Sequence, residues 1–326
     1  MSSQYPPSGP APENVEVSIS DHSGYVPPPP GETLGHPKSL WMLFGAEFWE
    51  RFAYYGMRAL LAVYVASAFF SHLPEGEANA QASLTYGGFT SLVYATGVIG
   101  GMIADRYLGY QRSIILGGLI MAAGLFMLLL PELHWFLIGL AVVVAGNGLF
   151  KPNISTMVGK LYAPGDVRRD SGFTIFYMGI NAGAFFAPII CGTIIGAMFG
   201  FQYGFLAAAI GMIFGIVVFQ FRKGMLGHIG RPPAGREGWA PIWVVLAGAV
   251  AMVPVIYFLL NQSEILGVVL LGMFVALAVY LIWSGRGESG GVQTQRYVAM
   301  FILFAANILF WALFEQAGAS LNFLAR

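Results

Sequence analysis

From about residue 40 onward, apolar stretches of roughly 20 residues recur along the chain, the length a helix needs to cross a bilayer core. Nine such spans are read, at about 40–70, 83–104, 113–130, 134–158, 171–199, 203–221, 240–260, 264–284 and 297–320. Inside hydrocarbon every backbone polar group must be satisfied within the protein, which leaves helices or a closed barrel. Segments this long and this continuously apolar are helices, so the fold class is an all-α membrane protein. Composition agrees: 57% of the 326 residues are hydrophobic and only 10% are charged, against about a quarter charged in a soluble domain. A soluble enzyme is excluded. The single cysteine, Cys191, lies in an apolar run and reads as a small buried hydrophobe, so no disulfide framework exists within the chain.

Residues 1–37 are polar, with four consecutive prolines at Pro27 to Pro30, and are expected to form a disordered tail. They lack the basic start and apolar stretch of a signal peptide. Residues 222–239, with Pro232, Pro233 and Gly235, read as a linker after a six-helix unit at 38–221. Two further helices fill 240–285, and a last span lies within 286–326. With the N-terminus placed in the cytoplasm, the cytoplasmic segments hold twelve cations: Lys38, Arg106, Arg112, Lys160, Arg168, Arg169, Arg222, Lys223, Arg231, Arg236, Arg286 and Arg296. The opposite side holds only Arg326, so the positive-inside rule supports both this orientation and the number of spans.

Six charged residues remain within spans: Glu47, Glu50, Arg51, Arg58, Lys151 and Glu315. Each costs about 2.5–3.5 kcal/mol at a helix centre on insertion scales, and such residues pair or face a wet interior. At 100° per residue, Glu47, Glu50, Arg51, Tyr54, Tyr55 and Arg58 share an arc of about 140° on the first span. One helix thus presents two acids, two guanidiniums and two phenols to a polar interior, opposite Lys151 beside Pro152 on the fourth span. A lone Glu47–Arg51 pair would read as structural, but six polar groups on one arc point to a mid-membrane binding cavity. Arg51 offers a planar fork for a carboxylate and Lys151 a second cation, expected within ion-pair reach of a first-span glutamate. Glu47 and Glu50 can carry a proton that changes which partner each cation holds. That is the logic of a proton-coupled symporter for zwitterionic or acidic solutes. No phosphate-cradling loop, metal spacing or nucleophile elbow is present, and the histidines, His22, His36, His72, His134 and His228, read as surface residues.

The run Glu47-Phe-Trp-Glu50-Arg51-Phe52-Ala-Tyr54-Tyr55-Gly56 resembles the E-x-x-E-R-F-x-Y-Y-G motif of proton-dependent oligopeptide transporters, a branch of the major facilitator superfamily. Phe176-Tyr177-Met-Gly-Ile180-Asn181-Ala-Gly183 is similar to that family's second signature, F-Y-x-x-I-N-x-G. Gly101 to Gly109 resembles the superfamily's cytoplasmic loop motif, and Phe310-Trp311-Ala-Leu-Phe-Glu315-Gln316 the start of its second bundle.

The resemblance implies di- and tripeptides as substrates, taken up with protons by alternating access across the bacterial plasma membrane. Its partners would be peptides, protons and the lipid bilayer, without nucleic acid, metal or cofactor, the proton gradient supplying the energy. Glu47, Glu50, Lys151 and Glu315 would be linked to proton movement. Arg51, Tyr54, Tyr55, Tyr94, Lys151, Asn181 and Trp311 would face the peptide, and Arg58 and Glu315 would form a gating salt bridge. Gly87 stands where animal members carry a histidine, and the two spans at 240–284 also match the bacterial pattern. The family's fold needs two six-helix bundles, and here only the first span of the second is present. The expectation is therefore a fragment of a longer protein that does not transport by itself. The rival readings are the same fold moving nitrate or a peptide-like drug, and a transport-inactive membrane module.

Overall fold

The computed structural model describes residues 25–285 and 292–324. Among the described residues, nine helices are long and apolar enough to cross a membrane. They are α1 (Lys38–Tyr64), α2 (Glu75–Ile103), α3 (Tyr110–Met127), α4 (Leu133–Lys160), α5 (Arg168–Ala187), α6 (Phe201–Arg222), α7 (Ala240–Asn261), α8 (Ser263–Gly285) and α9 (Val292–Phe314), followed by a short α10 (Ser320–Leu324). Each expected span falls on one of the nine. The largest difference at a helix start is at α2, which begins at Glu75, about eight residues before the apolar stretch. Its first turn carries Glu75 and Glu77 after Pro74, so the helix is extended by residues suited to a positive N-terminal dipole rather than to lipid.

α1 is the axis of the bundle. Most of its residues are buried, in contact with α2, α4, α5 and α6. Close approach is achieved with glycine, as membrane helices without a hydrophobic drive to associate require. A Cβ at Gly117 of α3 would fall 2.6 Å from the Gly146 carbonyl oxygen of α4, and one at Gly56 of α1 would lie 2.7 Å from Cys191 Sγ. Cys191 is buried and unbridged, the packing role read for it. α4 contains Pro152, and next to it Asn153 Nδ2 donates to the carbonyls of Leu149 at 2.7 Å and Gly100 at 3.3 Å. α7 packs on α4 and α2, burying Ile256 and Leu260, while most of the apolar surface of α7, α8 and α9 is exposed.

The expectation of disorder through residue 37 is corrected for its last part. Glu32–Thr33 (β1) and His36–Pro37 (β2) pair as an antiparallel hairpin whose turn residues, Leu34 and Gly35, have φ of 52° and 74°. Three interactions hold this strap to the loop between α4 and α5. Tyr25 donates to the Leu161 carbonyl at 2.8 Å, His36 Nδ1 meets the Tyr162 hydroxyl at 2.8 Å, and Arg168 bridges Glu32 and Asp166 at 2.8 and 2.9 Å. His36 is therefore buried rather than a surface residue. Burial pushes the Tyr162 hydroxyl up to about 12, and the hydrogen bonds from Arg168 hold the Asp166 carboxyl below its ordinary range. The remainder of the expected tail, and Arg286, Arg326 and His22, lie outside the described residues.

The segment from 222 to 239 is anchored to the start of α3. Gln111 donates from its backbone to Gly230 at 2.9 Å and from Nε2 to Ile229 at 2.7 Å, and Arg112 reaches the carbonyls of Arg236, Glu237 and Gly238.

Candidate functional site

The six-residue arc of α1 divides in two. Glu47, Arg51, Tyr55 and Arg58, at about 0–80° on the helical wheel, line a cavity of about 770 Å³. Glu50 and Tyr54, at about 300–340°, turn into the bundle. A single period-3.6 arc could not separate these faces, because where the cavity ends depends on the neighbouring helices.

Arg51 organises the buried half. Its Nε donates to Glu50 Oε2 in a short bond, its Nη2 donates to Glu50 Oε1 at 2.6 Å, and Nε also lies 3.3 Å from Glu47 Oε1. Asn147 of α4 donates to the same Glu50 oxygen at 3.1 Å. Glu50 is thus held by two side chains, whereas Glu47 keeps one oxygen, Oε2, with no hydrogen-bond partner. All three α1 groups are at most 2% exposed. A buried charge this deep persists only when paired, and the Glu50–Arg51–Asn147 cluster meets that condition. Tyr54 packs behind it, its ring 5.0 Å from Arg51 Cζ and stacked on Phe89 with centroids 6.2 Å apart. The expectation that Tyr54 faces the cavity is therefore corrected: burial against Phe89 removes it from the lining.

Lys151 of α4 lines the cavity, as expected, but makes no ion pair with either glutamate among the described residues. Its Nζ stands 4.6 Å from the centroid of the Tyr94 ring on α2. The expected Lys151–glutamate contact is corrected, and the reason is visible in Arg51, which already takes both carboxylates. Lys151 is left with a cation–π partner, an interaction weaker than a buried ion pair and more readily exchanged.

At the other end, Arg58, Tyr86 and Glu315 form a closed triangle. Arg58 Nε donates to the Tyr86 hydroxyl at 2.5 Å, Arg58 Nη2 reaches Glu315 Oε2 at 2.6 Å, and Tyr86 donates to the same oxygen at 3.0 Å. The expected Arg58–Glu315 bridge is present, and it ties α1 to the end of α9. Asn322 of α10 adds a bond to the Ala59 carbonyl at 2.9 Å.

Tyr55, Tyr94, Asn181 and Trp311 all line the cavity, where the family resemblance put them. Asn181 donates to the Tyr177 carbonyl of its own helix at 3.0 Å. Four polar liners escaped the sequence reading: Thr90, Ser91, Ser155 and Tyr177. Tyr177 stood inside a quoted motif without a role assigned to it. Two supporting residues, Asn147 and Tyr86, were also missed. Asn147 had a readable signal, a carboxamide in an apolar span four residues before Lys151 and hence on the same helix side. The cavity therefore carries Lys151, a cation with no carboxylate partner among the described residues, Arg51, a cation committed to two carboxylates, the loosely held carboxylate of Glu47, and a wall of phenols, hydroxyls and one indole. Among the described residues no group of three or more His, Cys, Asp or Glu side chains could hold a metal ion.

The profile described as PTR2, POT family, matches residues 111–326. Dipeptide and tripeptide permease B of Photorhabdus asymbiotica subsp. asymbiotica is 36% identical over 297 residues, covering 90% of this chain and 59% of the permease. Among solved structures, a mutant of peptide transporter POT in complex with alafosfalin is 40% identical with a TM-score of 0.73, covering 90% of this chain and 61% of that one. A POT family transporter in complex with 5-aminolevulinic acid is 32% identical, also with a TM-score of 0.73, covering 88% of this chain and 61% of that one. The chain spans about 60% of the length of the relatives it matches.

Proposed function

Because the chain belongs to the POT family of multi-pass membrane transporters, we propose that the complete protein imports di- and tripeptides with protons across the bacterial plasma membrane, its N-terminus in the cytoplasm. The observation that carries this reading is the cavity lined by Arg51, Lys151 and Glu47, in which Lys151 makes no ion pair among the described residues. Its volume of about 770 Å³ lies within the roughly 300–1,000 Å³ usual for small-molecule sites.

The chemistry follows from which charges are committed. Glu50 is the fixed counter-ion of Arg51, locked by Asn147. Glu47 is the exchangeable one. When Glu47 takes a proton, its hold on Arg51 is released, and Arg51 together with Lys151 can accept the peptide's terminal carboxylate. Loss of the proton returns Glu47 to Arg51 and expels the anion. Proton and peptide then move together because deprotonated Glu47 and the peptide carboxylate compete for Arg51, and the proton takes Glu47 out of that competition. Tyr55, Tyr94, Asn181 and Trp311 contact the peptide backbone and side chains, while Arg58, Tyr86 and Glu315 join the first bundle to the second at one end of the path. The rocking of two bundles about a midplane site is the motion this requires. The same reading divides the chain into a six-helix bundle at 38–221, a linker at 222–239, two added helices at 240–285 and the first span of a second bundle at 286–326.

Uptake by the full-length transporter in proteoliposomes tests this. An inward proton gradient is expected to drive accumulation of a labelled dipeptide, and unlabelled di- and tripeptides, but not nitrate, compete. Competition by nitrate at concentrations where dipeptides fail to compete would favour the anion-transport reading instead.

A further inference from the structure

At the end of the bundle that carries the N-terminal strap, a second cleft of about 510 Å³ opens between the end of α4, the start of α5 and the segment before α7. Lys160, Arg169 and Arg231 converge on it together with His228, between the rings of Tyr110 and Tyr162, and among the described residues no carboxylate lines it. We infer that this cleft is an anion site that takes a phosphate group, either a soluble phosphate or the headgroup of an anionic phospholipid.

A simpler reading is that these cations only serve membrane orientation, which requires positive charge near helix ends and nothing more. Two observations separate the cleft from that background. First, two neighbouring cations are already engaged. Arg168, one residue from Arg169, bridges Glu32 and Asp166, and Arg112 is spent on three backbone carbonyls. Lys160, Arg169 and Arg231 have no carboxylate partner among the described residues. Second, the three are positioned rather than dispersed. Lys160 Nζ sits 5.1 Å from the Tyr110 ring centroid, Arg169 Cζ sits 5.7 Å from that of Phe173, and Arg231 Nε donates to the Gly227 carbonyl at 3.0 Å. That last bond leaves the four terminal N–H groups of Arg231 free to donate. The backbone under Arg231 is itself held by the two bonds from Gln111 to Ile229 and Gly230.

Two guanidinium forks and one ammonium around an uncompensated cleft match a tetrahedral oxyanion, where arginine pairs in bidentate fashion and lysine acts as a point charge. A site at the level of the helix ends also lies where phospholipid phosphates sit, and basic residues there are attracted to anionic leaflets. A bound phosphate would tie the α4–α5 loop to the segment before α7, two parts of the chain joined here by no ion pair among the described residues.

The test uses the full-length protein in phosphatidylcholine nanodiscs. Inorganic phosphate is titrated and followed by calorimetry. In a second arm, phosphatidylglycerol replaces part of the lipid, and native mass spectrometry reads the lipid retained. The site predicts saturable binding in at least one arm, weakened roughly tenfold or more in Lys160→Gln/Arg169→Gln/Arg231→Gln. Binding survives in the charge-conserving Lys160→Arg/Arg169→Lys/Arg231→Lys and in Arg222→Gln/Lys223→Gln, which removes two charges from the same end outside the cleft. If the triple glutamine variant does not fold, the single variants Arg169→Gln and Arg231→Gln carry the comparison. Phosphate binding in the first arm identifies a soluble ligand, and retention of phosphatidylglycerol alone identifies a lipid. Absence of binding in both arms, or equal loss in Arg222→Gln/Lys223→Gln, overturns the inference.

Discussion

Arg51 grips Glu50, its neighbour in sequence, with two nitrogens, and reaches Glu47, one helical turn away, with only one, at 3.3 Å. The two carboxylates of the motif are therefore unequal. One is a structural counter-ion and the other is available to exchange partners, and several consequences can be measured in the full-length transporter.

Glu50→Gln should destabilise the protein far more than Glu47→Gln. Removing Glu50 strands the buried Arg51 guanidinium and the Asn147 donor, and breaking a buried pair costs about 3–5 kcal/mol. Glu47 leaves one bond and an oxygen that was already unpartnered. Thermal unfolding in detergent checks this: the Glu50 variant should melt well below wild type, with the Glu47 variant close to it.

Lys151→Ala should leave thermal stability near wild type while abolishing uptake driven by a proton gradient. Among the described residues Lys151 makes no ion pair, so its removal breaks none. Peptide binding loses one of its two cations, and the loss should appear as a raised KM in counterflow. A large fall in melting temperature would mean that Lys151 is structural.

Tyr86→Phe isolates the third corner of the Arg58–Glu315 triangle. Hydrogen bonds to charged groups contribute about 1.5–3 kcal/mol, and the phenol makes two of them. The variant should retain peptide affinity in equilibrium binding but alter the transport rate several-fold, since Tyr86 itself does not line the cavity and acts through the tie between α1 and α9. An unchanged rate would remove Tyr86 from the gate.

The N-terminal strap should loosen in acid. Hydrogen bonds from Arg168 hold the Asp166 carboxyl below its ordinary range, and charged Asp166 in turn fixes the guanidinium that reaches Glu32 of the strap. That contribution is complete above the ordinary carboxylate range and is lost as pH falls through the depressed value. Hydrogen exchange of residues 32–37 should accelerate over that interval in wild type. In Arg168→Gln it should already be fast at neutral pH. Equal protection in both proteins would show that Tyr25 and His36 hold the strap unaided.

How much of this was legible beforehand depends on the range of the interaction. The nine helices are written in the length of each apolar run, a property of local sequence, and the structure follows them. The charged arc of α1 was equally plain, because helical periodicity alone places six polar groups together. Which of the six face the cavity was not, since that depends on Phe89 covering Tyr54 and on Asn147 reaching Glu50 from another helix. Charge balance along the sequence pairs Lys151 with a glutamate, because it cannot reveal that Arg51 lies against both acids. His36 was read as exposed, and its burial against Tyr162 depends on a contact between residues 126 apart in sequence. The α3–α4 glycines belong to the same class, since their purpose appears only when the opposing carbonyl is known.

The most direct measurement is proton-driven uptake of a labelled dipeptide by Glu47→Gln in proteoliposomes, read beside counterflow of the same peptide. If Glu47 is the carboxylate that exchanges Arg51 for a proton, the glutamine variant, fixed in the uncharged form, should exchange peptide in counterflow yet fail to accumulate it against a gradient at any external pH. Accumulation matching wild type, with the same dependence on external pH, would contradict the assignment of proton coupling to Glu47.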